Sequence, residues 1–326
     1  MTYLKSRLDQ LARAVTIILF ALGLSPGQVD AAALAPGPIP ELRMESERAP
    51  LSAFAGENMI TVPAGDYPVG HDNARRDVRP PHRVSLKAFA IDETEVTNGQ
   101  FAEFLNALDL RVSADFAYSE AKPEHFSDAT WPELLEQGIR PDRYPLIGLD
   151  DDQVRIEVRS RRFAAARGFE NHPVAETTWR GARNYCAWRG ARLPTEAEWE
   201  ASARGLQGRV YPWGDALPDN RLVYARYPTG VTAPVGSRPD GATPEGVLDL
   251  SGSLAEWTAS LYKPYPYDAT DGREDLLAPG ERVTRGGDYV FDTDSDQLTG
   301  YFRSGFSRAP QSGHRHIGFR CARSLS

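Results

Sequence analysis

NYCAWRGARLPTEAEWEASARG, residues 184–205, carries two helix instructions in one line. Its first half completes an amphipathic pattern that starts after Thr178, with Ala182, Tyr185, Cys186 and Arg189 on one side and Gly190 as the stop. Thr195 and Glu198 then form a capping box, each side chain satisfying the other residue's backbone N–H, ahead of a helix that turns Trp199 inward and ends at Gly205. The stretch therefore predicts helix, reversal and helix.

Toward the N-terminus, HRVSLKAFAID (82–92) alternates apolar and polar residues through Val84, Leu86, Ala88 and Ala90, the pattern of a half-buried strand. Thr97 and Gln100 make a second capping box before a helix with Phe101, Phe104, Leu105 and Leu108 on one face. VRIEVRSRRFAA (154–165) reads as a hairpin turning at Arg159-Ser160-Arg161. From Tyr211 onward Gly and Pro punctuate the chain so often that a loop-rich half with short strands is expected.

The first residues have a different character. Lys5, Arg7 and Arg13 precede the apolar run AVTIILFALGL, and small residues follow at Ala31 to Ala33. The run is too short for a membrane span, which needs about twenty residues, and residues 1–31 are expected to be a secretory signal peptide. The product is then exported, periplasmic or secreted, with no membrane span after cleavage. Residues 32–54, rich in Ala, Pro and Glu, are expected to be a flexible lead-in, and 55–326 the folded domain.

The formal net charge is −8. Losing residues 1–31 removes three bases and two acids (Asp9, Asp30), which leaves −9. A nucleic-acid partner is excluded as a general reading, because that affinity rests on a basic surface. The two cysteines, Cys186 and Cys321, suggest one disulfide in an exported chain; two buried free thiols are the alternative.

MITVPAGDYPVG (59–70), HRVSLKAFAIDETEVTNGQFAEFL (82–105), HPVAETTW (172–179), residues 184–205, YPWGD (211–215), GVLDLSGSLAEWT (246–258), RVTRGG (282–287) and IGFRCA (317–322) occur in this order. Together they resemble the formylglycine-generating enzyme family, also called sulfatase-modifying factors. The resemblance implies an irregular α+β fold related to C-type lectins, low in regular secondary structure, and a disulfide between Cys186 and Cys321. It also isolates residues 109–171 as an insertion, and insertions on a fixed scaffold often shape binding surfaces.

Family members that make formylglycine resemble one another in a serine and two cysteines that bind copper after the glycine pair. Those positions fall near Asp288, Phe291 and Asp296, so the resemblance implies a member without the thiolates that suit Cu(I). Asp288, Asp296 and Arg303 are the catalytic candidates in their place. The family's calcium sites would correspond to Ser253 with Glu256, and to Asn220, both eroded: a serine hydroxyl is a poor calcium ligand and no acid follows Asn220 up to residue 235. Another branch, exported proteins that mature a siderophore chromophore, also lacks the thiols.

Asp292, Asp294 and Asp296 open like a calcium loop, but Gln297 and Arg303 stand where that loop needs Gly and Glu. His314 and His316 share a face if their segment is a strand. With one of these aspartates they would match the donor count of a two-histidine, one-carboxylate non-heme iron centre. His82 and His172 read as hydrogen-bonding core residues.

LYKPYPYDATDGRED (261–275) spaces Tyr262, Tyr265 and Tyr267 between prolines. With Arg308 they are candidates to line a groove for a peptide-like or small polar substrate, or else to patch the core. Two functions follow as expectations: an accessory, oxidative maturation factor acting on such a substrate, and a non-catalytic binding module on the same scaffold.

Overall fold

Strand β11 (Ala255–Leu261) is buried at all seven positions. In the computed structural model it lies between β12 (Arg282–Arg285), antiparallel, and the short β13 (Ile317–Gly318), parallel. The structure describes residues 42–44, 58–72, 75–108, 110–112, 116–119, 145–149, 151–160, 162–224, 231–304 and 309–325.

Three α-helices occur among the described residues: α1 (Asn98–Asn106), α2 (Trp179–Trp188) and α3 (Glu196–Arg204). Each starts where its threonine lies: Thr97 and Thr195 sit in complete capping boxes, and Thr178 accepts from the Gly181 N–H. Phe101, Phe104 and Leu105 of α1 join Tyr185 and Cys186 of α2 and Trp257 of β11 in the main core. The α2–α3 reversal uses Gly190 at φ +69°, a conformation open to glycine at little steric cost.

Tryptophan N–H groups stitch these elements. Trp179 Nε1 donates to the Thr258 carbonyl, Trp257 Nε1 to the Thr177 carbonyl, and Trp199 Nε1 to Glu256. A large ring can be fully buried here because its one polar atom finds an acceptor.

Smaller sheets surround this centre. Strand β5 (Phe89–Asp92) lies between β2 (Met59–Val62) and β14 (Ala322–Ser324), and β3 (Gly65–Val69) forms a hairpin with β4 (His82–Leu86). The single strand expected over 82–92 is thus two, broken at Lys87-Ala88; the alternation belongs to half-buried β4, whereas β5 is buried throughout. The hairpin of β9 (Ile156–Arg159) and β10 (Arg162–Ala165) forms as expected, with Ser160 at φ +49° in its turn.

The remaining sheet takes its strands from unexpected places. Its order is β1 (Leu42–Met44), β6 (Leu110–Val112), β7 (Phe116–Ser119), β8 (Pro145–Gly148), so three residues of the expected lead-in pair with the insertion. The rest of that lead-in up to residue 54, and the expected signal peptide, lie outside the described residues.

Cys186 of α2 and Cys321, just before β14, form a disulfide with Cα atoms 5.5 Å apart. No helix among the described residues is long and apolar enough to cross a membrane.

Candidate functional site

The chain leaves β12 at Arg285 and turns through Gly286 (φ +103°) and Gly287 (φ +71°). A Cβ on Gly287 would lie 2.6 Å from the Gln297 carbonyl oxygen, so only glycine lets the two segments approach this closely. The turn delivers Asp288 into a closed loop. Its Oδ1 accepts from the N–H groups of Val290 and Phe291, both at 2.7 Å. Asp292 answers from the other side, its Oδ2 accepting from the Asp288 N–H at 2.9 Å and its Oδ1 from Gln297 Nε2 at 2.6 Å.

Both carboxyls are buried, Asp288 at 1% and Asp292 at 3% exposure. Burial, followed by the charge of Asp288, pushes Asp292 up to about 7, and burial also raises Asp288. Two like charges brought together out of water are costly, which favours the protonated form of one of them. A group that exchanges its proton near the operating pH is suited to general acid–base work. Between the two aspartates, Phe291 stays 48% exposed.

His316 sets its ring edge-on to Phe291, 5.0 Å between centroids, and His314 lies 5.5 Å from His316. The segment holding them is a turn, closed by the Ile317 N–H on the His314 carbonyl, and not the strand expected. Burial, with His314 and Arg315 adding to it, lowers His316 to about 4, and burial lowers His314.

The other expected site residues divide by environment. Asp294 caps the 3-10 turn Ser295–Leu298, and Asp296 is exposed. The acidic triplet therefore does not converge: Asp292 faces inward to Asp288, the other two outward. Among the described residues no group of three or more His, Cys, Asp or Glu is arranged to hold an ion, so the carboxylate expected to complete a centre with His314 and His316 does not join them.

Arg303 is fully buried and spent on structure. Its guanidinium donates to both oxygens of Glu196 and to the carbonyls of Asp77 and Lys263, and it stacks over the rings of Tyr262 and Tyr265. With four of its five N–H groups engaged inside the protein and the side chain shielded from solvent, it serves as an internal counter-charge, in place of the catalytic role expected of it. The tyrosine groove is corrected too. Tyr265 and Tyr267 are buried, donating to Glu196 and Glu200 and to Glu274 respectively, while Tyr262 donates to Asp77. Buried carboxylates needing donors drew the hydroxyls inward. Arg308 lies outside the described residues.

The metals implied by the resemblance do not fit. Both cysteines of the chain are in the disulfide, which leaves copper no thiolate. Glu256 gives both oxygens to Arg320 and one also to Trp199, Ser253 donates its hydroxyl to Glu95, and Asn220 is exposed, so these described positions do not form a prepared set of oxygens for calcium. His82 and His172 are hydrogen-bonded as expected: His82 contacts the Pro80 carbonyl and the Tyr267 N–H, His172 the Thr232 hydroxyl.

Sequence reasoning missed the buried network behind the site. Glu196, Glu200 and Arg204 follow one another at i, i+4 along α3, a helix buried at every residue, and Arg285 joins Glu196 to Glu200. The spacing was visible in TEAEWEASAR; the burial that gives it meaning was not. Also missed was a recess of about 460 Å³ lined by Arg183, Arg192, Leu193, Ala259, Glu274 and Leu276.

Residues 45–325 match the family described as sulfatase-modifying factor enzyme 1-like domain. The chain is 34% identical over 279 residues to the bovine (Bos taurus) inactive C-alpha-formylglycine-generating enzyme 2, spanning 81% of this chain and 87% of that one. It is 35% identical over 319 residues to the formylglycine-generating enzyme of Streptomyces coelicolor, spanning 90% and 94%. PvdO from Pseudomonas aeruginosa shares the fold at a TM-score of 0.56 and 23% identity, over 89% of this chain and 100% of that one. The motifs, the α+β fold and these likenesses agree: the chain belongs to the sulfatase-modifying factor family, as a member without the catalytic cysteine pair.

Proposed function

We propose that this protein is an exported accessory maturation factor that holds a peptide-like substrate beside the Asp288–Asp292 pair and makes no formylglycine. The observation that carries this is a substitution of chemistry. Where the family resemblance implies a copper site of one serine and two cysteines, near Asp288, Phe291 and Asp296, this chain presents an exposed phenyl ring at Phe291 beside two buried carboxyls, Asp288 and Asp292, the second pushed up to about 7. An apolar side chain beside a group that can donate or accept a proton suits a substrate bound by contact and by acid–base exchange. Export accords with the apolar N-terminal run and with the disulfide, which persists in oxidising compartments. A relative named as inactive at 34% identity accords with a scaffold retained after its oxidase chemistry is gone.

The second reading, a non-catalytic binding module, draws on the 460 Å³ recess, whose apolar walls carry charged groups that could orient a small ligand. One pair of assays separates the readings. A cysteine-containing peptide supplied with copper(I) and oxygen is expected to gain no aldehyde, and peptide binding is expected to weaken in Phe291→Ala at unchanged melting temperature. Aldehyde formation would overturn the first claim. Binding that ignores Phe291→Ala but disappears in Leu276→Arg would place the ligand in the recess and favour the module.

A further inference from the structure

His314 and His316 differ from the satisfied histidines His82 and His172. The Nε2 atom of each is buried and has no hydrogen-bond partner among the described residues, and His316 is only 4% exposed. Buried polar atoms in folded proteins are nearly always paired, so two adjacent unpaired ones point to a third party. The backbone holding them is fixed on three sides. The His314 carbonyl accepts from the N–H groups of Glu176 and Ile317, the His316 carbonyl accepts from the Ala255 N–H, and Gly313 is pressed so closely on Glu176 that a Cβ would lie 2.0 Å from its carbonyl oxygen.

The spacing of the rings is compatible with a shared ion. Two imidazoles binding one ion through nitrogens about 2.0–2.1 Å from it place their ring centres about 5–6 Å apart at ordinary bond angles. The observed separation is 5.5 Å, with the planes tilted by 40°. Two nitrogen donors without a carboxylate do not suit calcium or magnesium; imidazole is a ligand for copper, zinc, nickel and iron. Among the described residues no third His, Cys, Asp or Glu completes a set, which leaves coordination positions for water or a substrate group. Exposed Phe291, packed on the edge of His316, lies at the approach.

We propose that His314 and His316 form a two-imidazole site for a late first-row transition-metal ion, beside but separate from the carboxyl pair. The site does not depend on the peptide-binding reading, and its test uses metal alone. Copper(I), under anaerobic competition with a coloured chelator, and zinc(II) are titrated in turn onto the full chain. The expected result is one equivalent of at least one ion, a melting temperature raised by that ion, and affinity that falls in His314→Gln and in His316→Gln by more than the roughly 10–100-fold that outer partners of a metal site cost. Neither ion binding at one equivalent, or binding that survives both substitutions, overturns the site. Should a variant fail to fold, X-ray absorption on the loaded wild-type chain decides. A first shell with nitrogen scatterers and an imidazole signature is expected, and a shell of oxygen alone overturns it.

Discussion

Arg285 Nη2 and Glu200 Oε2 meet at 2.7 Å with neither side chain exposed. Burial alone would raise the carboxyl's pKa, but Arg285 and Arg204 outweigh it and hold Glu200 below its ordinary value. Each charge in this network depends on the others because none reaches water.

Removing one partner should therefore cost far more than an exposed ion pair would. Glu200→Ala or Arg285→Ala is expected to lower stability by about 3–5 kcal/mol, the range for leaving a buried charge alone. Replacing both with Leu and Met is expected to recover only part of that loss, because Arg204 loses the carboxylate of Glu200. Urea unfolding checks it, as a shift in midpoint at constant slope; a single-variant loss under about 1 kcal/mol would place water in the network.

The disulfide spans a sequence separation of 135 residues. In the chain-entropy picture a loop of that size contributes about 5 kcal/mol. Cys186→Ser with Cys321→Ser should lower the denaturant midpoint accordingly, and reductant should do the same to the wild type but not to the double variant. Equal midpoints in all three would show that packing around α2 and β14 suffices.

Stability should also depend on pH through Asp292. Its pKa of about 7 in the folded chain lies above the ordinary 3.8, so between these values the folded state keeps a proton that the unfolded state has lost. The contribution is complete below about pH 4 and falls away as pH rises through 7. Glu95, Asp249, Glu256, Asp288 and Glu274 are raised as well, burial being the first cause in each, and act in the same direction. Asp292→Asn, which mimics the protonated acid, should shrink the drop in unfolding midpoint between pH 5 and pH 8. An unchanged drop would mean that Asp292 is ionised throughout.

Gly287→Ala tests the turn that presents the pair. Its φ of +71° and the 2.6 Å approach of the Gln297 oxygen are expected to cost about 1–3 kcal/mol and to displace Asp288. In Gly190→Ala, where φ is +69° but nothing lies within 4 Å, the cost should be near 1 kcal/mol, from the backbone alone. Equal losses would show that the approach contributes nothing.

What the sequence made legible was local. Thr97, Thr178 and Thr195 each name a helix start through groups at most three residues away, and the turn at Ser160 likewise needs only its neighbours. The pairing of Arg303 with Glu196 spans 107 residues and that of Arg285 with Glu200 spans 85, so no periodicity announces either. The tyrosines were misplaced for the same reason: their prolines specify an extended path, but only distant carboxylates decide which way the rings face. The acidic triplet opens like a calcium loop, but Asp294 and Asp296 face solvent and the partner of Asp292 is Asp288, four residues back, a pairing that the D-x-D-x-D spacing does not announce.

Arg320 shows what this wiring means for a chain made from one end. It supplies the counter-charge for Glu256 and donates to the carbonyls of Asp92, Glu93 and Leu248, while the next residue ties down α2. Until residues 320–321 are in place, Glu256 lacks its counter-charge and α2 its covalent tie. A chain ending before residue 320 would keep every motif up to RVTRGG and lack both the cation and the cysteine that tie them together.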